Sequence, residues 1–281
     1  MEALFASAVA LLSAVGYGIS DFAGGMLSRH RAAMAVVGVS QACSLVILVI
    51  AVAFLGIPPS TDWLPWAVLA GFAGSAGLVL FYRALAVGTV GVVSPISATG
   101  AVIPVFIAIA AGERPSMEKL AGIILALTGA ILASGPELRG EPHVKARAIW
   151  YAAGAALGFG IAIYAIARGS ESSTLMTMLG MRTTSVTSFA LAALVTRSVG
   201  GVRRRDLPAL ALLGAGDMGA NLLFGVAATK GMLSVTSVLS SLYPVVTVGL
   251  AAVILHERMR PVQIAGVVTA LAGVALIALP G

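Results

Sequence analysis

The feature that most constrains this chain is a succession of apolar stretches, each about long enough to cross a bilayer. A helical span needs roughly 20 mostly apolar residues, and ten such stretches lie between short polar breaks. Their approximate ranges are 3–28, 32–55, 64–87, 91–111, 119–135, 148–168, 172–196, 207–229, 233–255 and 261–279. The sequence therefore predicts an all-α integral membrane protein of ten transmembrane helices, which we number span 1 to span 10.

The composition excludes an ordinary soluble domain. Hydrophobic residues make up 59% of the chain and charged residues only 10%, whereas soluble domains carry roughly 25% charged residues. The net charge of +6 does not indicate a nucleic-acid partner, because the basic residues lie in short segments between apolar stretches, where they set membrane orientation. The lone Cys43 allows no disulfide within the chain, and the apolar N-terminus without a basic start indicates a first span rather than a cleaved signal.

The two halves of the chain repeat each other. Residues 84–97 align with residues 227–240 at an offset of 143, which pairs Gly88 with Gly231, Val92 with Val235, Ser94 with Ser237, and Ser97 with Ser240. The same register, within one residue, pairs Gly16-Tyr17-Gly18 with Gly158-Phe159-Gly160 and Glu113-Arg114 with Glu257-Arg258. One proline departs from the repeat: Pro244 corresponds to Ala101, and the first half has Pro104 about one turn later.

Five spans in each half is an odd number, so the second half must enter the membrane upside down relative to the first. Inverted repeats are typical of secondary transporters, in which the substrate site lies near the bilayer midplane between the repeats. Alternating access follows if one half rocks against the other.

The order of these motifs resembles the drug/metabolite transporter superfamily, specifically its EamA-domain family of ten-helix carriers. The resemblance rests on a pattern that occurs twice: A-x-x-x-G, a helix with serine and proline, G/H-E-R, and an A-G-x-x-x-A-L-x-G-A/V helix. The segment GYGISDFAGGMLSRH (16–30) also resembles the opening of one bacterial branch. The resemblance implies EamA-like repeats at 1–138 and 145–281, a multi-pass protein of the cell (inner or cytoplasmic) membrane, and a cavity lined by spans 1, 3, 4, 6, 8 and 9.

Orientation stays open, because two arguments disagree. The resemblance implies cytoplasmic termini. The positive-inside rule favours termini outside the cell, because the loops after the odd-numbered spans hold eleven basic residues and the other face holds four. The eleven are Arg29, Arg31, Arg139, Lys145, Arg147, Arg197, Arg203, Arg204, Arg205, Arg258 and Arg260, and the four are Arg114, Lys119, Arg168 and Lys230.

Four charged residues lie inside spans, where ionisable groups are costly and mark functional sites. Their depth, at about 1.5 Å per residue, predicts an Asp21–Arg83 pair and an Arg182–Asp217 pair. The alternative role of each pair is to fix helix packing. Asp217 is also the residue we expect to mediate proton coupling.

Polar side chains near these charges complete the predicted substrate site. Asn221 lies one turn after Asp217 and so on the same face of span 8. Hydroxyls flank the prolines of spans 4 and 9, which predicts distorted helices there, and tyrosines lie on the spans expected around the cavity. Packing is the alternative role for each. The predicted substrate-binding residues are Tyr17, Asp21, Arg83, Ser94, Ser97, Tyr164, Arg182, Asp217, Asn221, Ser240 and Tyr243.

The predicted function is that of a secondary transporter that exports a small metabolite such as an amino acid. The protein is expected to have the lipid bilayer as its solvent and to need no cofactor or metal. Two alternatives remain: a non-transporting scaffold or receptor, and an intramembrane aspartyl protease, because residues 214–217 spell G-x-G-D.

Glu113 and Glu257 lie in equivalent turns, and we expect them to cap spans 5 and 10.

Overall fold

The structure, a computed structural model, describes residues 1–28, 31–56, 60–87, 90–135, 146–196, 201–256 and 258–279. Within these ranges the chain forms α-helices and two short 3-10 turns, and it contains no strand. The helices are α1 (Glu2–Ser28), α2 (Ala33–Leu55), α3 (Leu64–Val87), α4 (Val90–Ala98), α5 (Val102–Ala110), α6 (Met117–Ala133), α7 (Ala146–Thr196), α8 (Leu207–Lys230), α9 (Leu233–Ser240), α10 (Tyr243–Ile254) and α11 (Pro261–Ala278). The predicted all-α class is confirmed.

These helices account for the ten predicted spans. Eight candidate spans are long and apolar enough to cross a membrane. One of them is α7, which contains spans 6 and 7 because Ser173 has an extended backbone that breaks the helix. The 17-residue α6 forms span 5. Span 4 consists of α4 and α5, and span 9 consists of α9 and α10.

Contacts between the halves occur twice, as inverted repeats require. Gly16 of α1 packs against Ala220 of α8, and the equivalent Gly158 of α7 packs against Gly77 of α3. A Cβ atom at Gly16 would lie 3.0 Å from the Ala220 Cβ, and one at Gly158 would lie 2.8 Å from the Gly77 Cα, so both positions need glycine to bring the backbones this close. Two further contacts are duplicated in the same way. The contact of Gly18 with Val246 is repeated by that of Gly160 with Ile103, and the contact of Gly71 with Thr184 is repeated by that of Gly214 with Ser40.

The symmetry axis passes between α6 and α11. A Cβ atom at Gly122 would lie 2.8 Å from the Gly273 carbonyl oxygen, and a Cβ atom at Gly266 would lie 2.8 Å from the Gly129 carbonyl oxygen. These two contacts are equivalent in the repeat, because Gly122 corresponds to Gly266 and Gly129 corresponds to Gly273 at an offset of 144. Small residues allow such close approach in lipid, where van der Waals contact drives helix association.

The predicted distortions of spans 4 and 9 are present. A 3-10 turn over Thr99–Ala101 separates α4 from α5, and Ser241 and Leu242 separate α9 from α10. Pro244 lies in the first turn of α10, where its missing N–H is not needed. Pro95 lies inside α4, and Pro104 lies in the first turn of α5.

Glu113 does not cap span 5 as predicted. The N-cap of α6 is Ser116, and Glu113 instead caps α9 of the other half. Its carboxylate accepts hydrogen bonds from the Leu233 N–H (2.6 Å), the Ser234 N–H (3.0 Å) and the Ser234 hydroxyl (2.6 Å). The turn is possible because Gly112 has a φ of 108°. Glu257 lies outside the described residues.

Candidate functional site

The centre of the site is an ion pair between span 7 and span 8. Arg182 donates from Nη2 to the Oδ2 atom of Asp217, as the sequence predicted. The Arg182 side chain is 5% exposed and the Asp217 side chain 35% exposed. Arg182 keeps an unused donor, because its buried Nε atom has no acceptor among the described residues. The pair is therefore a fixed guanidinium beside an accessible carboxylate.

A polar network connects this pair to α1. The Asn221 amide donates to the Asp217 carbonyl oxygen at 2.8 Å and lies 3.5 Å from the Asp217 carboxylate. The Tyr17 hydroxyl of α1 donates to the Asn221 Oδ1 atom at 3.0 Å. The Tyr17 ring packs edge-on against Tyr243 of α10, with 6.4 Å between ring centroids. Four helices, α1, α7, α8 and α10, thus contribute to one cluster.

Asp21 belongs to the same cluster but has no partner. It makes no hydrogen bond or ion pair with any residue that the structure describes. It lies one turn after Tyr17 on α1, and its carboxylate is within electrostatic range of Asp217 and of the Tyr17, Tyr82 and Tyr243 hydroxyl groups. Aromatic rings attract organic ammonium groups, and a nearby carboxylate supplies the opposite charge.

The two acids are only partly covered by the surrounding protein. Asp217 lies at the middle of the 24-residue α8, yet its side chain is 35% exposed, and Asp21 is also exposed. They interact electrostatically across the contact between α1 and α8, which belong to different halves of the chain.

The predicted Asp21–Arg83 pair is not formed. Arg83 is exposed near the end of α3, and it forms no ion pair with any described residue. Its neighbour Tyr82 is within electrostatic range of Asp21, and successive residues of a helix point about 100° apart. Residue counting predicted the correct depth of Arg83 but not its direction.

The other predicted site residues lie outside this cluster. Tyr164 packs edge-on against Trp66, with 5.9 Å between ring centroids. Ser240 donates its hydroxyl to the Ala10 carbonyl oxygen at 3.2 Å, which joins α9 to α1. Ser94 is half-buried on α4, and Ser97 is buried with a hydroxyl that has no partner in the described structure. A role for these four residues in substrate binding stays a prediction.

Two features were missing from the predicted list of site residues. The first is Tyr82, which the sequence grouped with the other tyrosines of the cavity helices but which was not included among the substrate-binding residues. Arg31 and Asp206 form a bidentate ion pair, with Nε–Oδ2 at 2.7 Å and Nη2–Oδ1 at 3.3 Å, which joins the first half to the second half at one membrane face. Hydrogen bonding from Arg31 lowers the pKa of the Asp206 carboxyl group below its usual value.

This fold and this site define the class: a multi-pass membrane protein of two inverted five-span repeats with charged residues inside its spans. The EamA-like transporter family model matches residues 4–135 and again residues 146–279. The chain belongs to the EamA-like transporter family, whose members are membrane transporters and not enzymes. That membership confirms the predicted family and removes the protease alternative.

Two further similarities agree with this assignment. The probable terminal-alkyne amino-acid exporter of Streptantibioticus cattleyicolor is 39% identical to the chain over 106 residues, which are 36% of this chain and 36% of that protein. The match therefore spans about a third of that relative's length. A solved crystal structure of another protein matches 98% of this chain and 97% of its own, with a TM-score of 0.80 at 16% identity. The second similarity shows the fold alone.

Proposed function

We propose that this protein is a secondary transporter of the cell membrane that exports a small metabolite carrying an amino group, such as an amino acid. One observation carries the proposal: Asp21 is an exposed carboxylate without an ionic partner among the described residues, within electrostatic range of Tyr17, Tyr82 and Tyr243. An ammonium group would gain both an ionic partner and cation–π contacts there. The name of the curated relative, an amino-acid exporter, supports the same substrate class.

The carboxylate of an amino acid would have a partner in the same cluster. The Nε donor of Arg182 is unused, and guanidinium groups bind carboxylates in a planar, bidentate manner. Arg182 is already held by Asp217, so it is oriented before the substrate arrives. The proposed site therefore has a separate partner for each charge of a zwitterion.

We propose alternating access as the mechanism. The duplicated glycine contacts let one half rock against the other around α6 and α11, whose backbones touch at Gly122 and Gly266. A non-transporting scaffold would have a sealed interior, and the exposed carboxylates of Asp21 and Asp217 argue against one. The Arg31–Asp206 pair would hold one face closed while the substrate exchanges at the other.

We propose that transport is coupled to protons through the acids of this cluster. Asp217 was the expected proton carrier, but it keeps Arg182 as an ionic partner. Asp21 has no such partner among the described residues and is the better group to exchange a proton for a substrate ammonium. Asp217→Asn is therefore expected to alter the stability of the site, and Asp21→Asn to alter the pH dependence of transport.

The test is exchange in proteoliposomes with three compounds of equal carbon count: 2-aminobutyrate, butylamine and butyrate. The assay is run with and without a pH gradient. Exchange of 2-aminobutyrate and of butylamine, with no exchange of butyrate, is the expected result. Exchange of butyrate alone would contradict the proposal, because it would show recognition of the carboxylate without the ammonium group.

A further inference from the structure

A second polar cleft lies at the membrane face where α3 begins and where α7 turns at Ser173. Its volume is about 480 Å³, and it is lined by Ser60, Asp62, Trp66, Arg168, Glu171 and Ser172. The Ser60 and Ser172 hydroxyls are 3.2 Å apart, so the cleft lies where the first and second halves meet. Its volume is within the range of small-molecule sites, roughly 300–1,000 Å³.

One side of the cleft is an ion pair held against an aromatic ring. Arg168 donates from Nη1 to both carboxylate oxygens of Glu171, at 2.6 and 2.9 Å. The guanidinium carbon lies 5.7 Å from the centroid of the Trp66 ring. Tyr164 packs edge-on against the same ring. Arg168 is thus positioned by Glu171 and Trp66, although its side chain is partly exposed to solvent.

The other side of the cleft is an acid without a cation. Asp62 accepts a hydrogen bond from the Ser60 hydroxyl at 2.8 Å, and it forms no ion pair with any described residue. With Arg168 and Glu171 neutralising each other, the charge left in the cleft is that of Asp62. Trp66 then provides an aromatic wall beside an uncompensated carboxylate.

The cleft repeats the chemistry of the central cluster. Each site has a paired arginine and acid from the second half: Arg168 with Glu171, and Arg182 with Asp217. Each has an unpaired acid from the first half, Asp62 or Asp21, and each has aromatic rings beside that acid. A compound that binds the groups of the central cluster would therefore find the same kinds of group in the cleft.

We infer that this cleft is a vestibule site that binds the ammonium group of the transported compound at Asp62 and Trp66, on its way to or from Asp21. The inference rests on the proposed function for the class of substrate. The carboxylate of a zwitterion meets Arg168, as it meets Arg182 at the centre. The vestibule raises the local substrate concentration at one membrane face, so its loss weakens apparent affinity but leaves the maximal rate unchanged.

The test uses the full chain in lipid nanodiscs, with tryptophan fluorescence as the readout. We expect 2-aminobutyrate and butylamine to change the emission saturably and butyrate to leave it unchanged. Trp66→Phe should abolish the response, which identifies Trp66 as its source. Asp62→Asn should weaken binding by about tenfold, as loss of a charged contact does, and Asp62→Glu should restore most of it.

Asp21→Asn is the control that separates the two sites. The fluorescence response should survive this change, because Asp21 is not part of the cleft. A response that disappears in Asp21→Asn, or that is unaltered in Asp62→Asn, would overturn the vestibule site. Absence of a response in a protein that exchanges 2-aminobutyrate would overturn the vestibule site alone. An intact response without exchange would overturn the proposed function alone.

In proteoliposomes the same variant separates a binding role from a structural one. Asp62→Asn should raise the KM for 2-aminobutyrate by about tenfold with an unchanged maximal rate. A fall in maximal rate with an unchanged KM would contradict a vestibule role.

Discussion

Arg182 and Asp217 form an ion pair between spans 7 and 8 at mid-membrane depth, and Asp21 lies beside this pair without a cation of its own. The pair is electrically neutral, so Asp21 is the ionisable group of the cluster that has no partner of opposite charge among the described residues. The Arg182 side chain is almost fully buried and the Asp217 side chain is one-third exposed. Arg182 is therefore the buried member of the pair, and Asp217 is the accessible one.

Removing only Arg182 should destabilise the protein. In Arg182→Leu the Asp217 carboxylate loses its partner inside the membrane, and breaking a buried pair from one side typically costs 3–5 kcal/mol. Because Asp217 is 35% exposed, we expect a smaller loss of about 2–3 kcal/mol. The measurement is unfolding of the protein in lipid or mild detergent.

The double variant Arg182→Leu with Asp217→Leu is the matched control for this pair. It removes both charges, so stability should return to near the wild-type value while substrate exchange stays lost. Recovery of exchange in the double variant would show that the pair serves only helix packing.

Tyr17→Phe should weaken substrate binding while the fold stays intact. The change deletes the hydroxyl that donates to Asn221 but keeps the ring that packs against Tyr243. Loss of one neutral hydrogen bond costs about 1 kcal/mol, so the KM should rise about fivefold. Tyr151→Phe is the control, because Tyr151 packs in a separate apolar cluster around Ala84 and Val93. Equal effects of the two changes would argue against a site role for Tyr17.

The sequence was sufficient to predict the depth of residues but not the direction in which their side chains point. Counting residues along the spans placed Arg182 and Asp217 at the same level, and the pair is formed. The same counting placed Asp21 near Arg83, which points elsewhere because the rotation of α3 is set by its packing against α7 through Gly71 and Gly77. Rotation depends on these interhelical contacts, which no single span reveals.

The sequence also did not predict contacts between segments that are distant in the chain. The repeat correctly placed Glu113 in a turn, and the start of span 5, the nearest helix, was predicted to be the partner of its carboxylate. The actual partner is α9, 120 residues away, because the inverted halves bring the turn after α5 to the start of span 9. The ten spans and their inversion, by contrast, followed from hydropathy and an odd number of spans in each repeat.

Glu113→Ala should destabilise span 9. Three hydrogen bonds to the start of α9 disappear, and loss of a helix cap costs about 1–2 kcal/mol. Because the cap joins the two halves, we also expect altered transport rates. Thermal unfolding of the purified protein measures the effect. Glu2→Gln, at the exposed start of α1, serves as the control and should leave the unfolding temperature unchanged.

The Arg31–Asp206 pair should make stability depend on pH at the acidic end. Hydrogen bonds from Arg31 and from the Arg203 backbone lower the pKa of Asp206 in the folded protein. A carboxyl group with a lowered folded pKa stabilises the fold above its unfolded pKa, about 3.9, and this contribution is lost as the pH falls through the folded value. Wild type should therefore unfold at a higher temperature than Asp206→Asn at pH 6, and the difference should shrink below about pH 4. A difference that stays constant or grows on acidification would contradict this account.

The central claim is that Asp21 binds the ammonium group of the substrate, and the most direct measurement is exchange by Asp21→Asn in proteoliposomes. The variant keeps the size of the side chain and removes its charge, and Asp21 has no ionic partner among the described residues that the change would leave unpaired. We expect a folded protein that retains less than about a tenth of wild-type 2-aminobutyrate exchange, equivalent to losing at least about 1.4 kcal/mol of binding. A folded Asp21→Asn protein that exchanges 2-aminobutyrate at the wild-type rate and KM would contradict it.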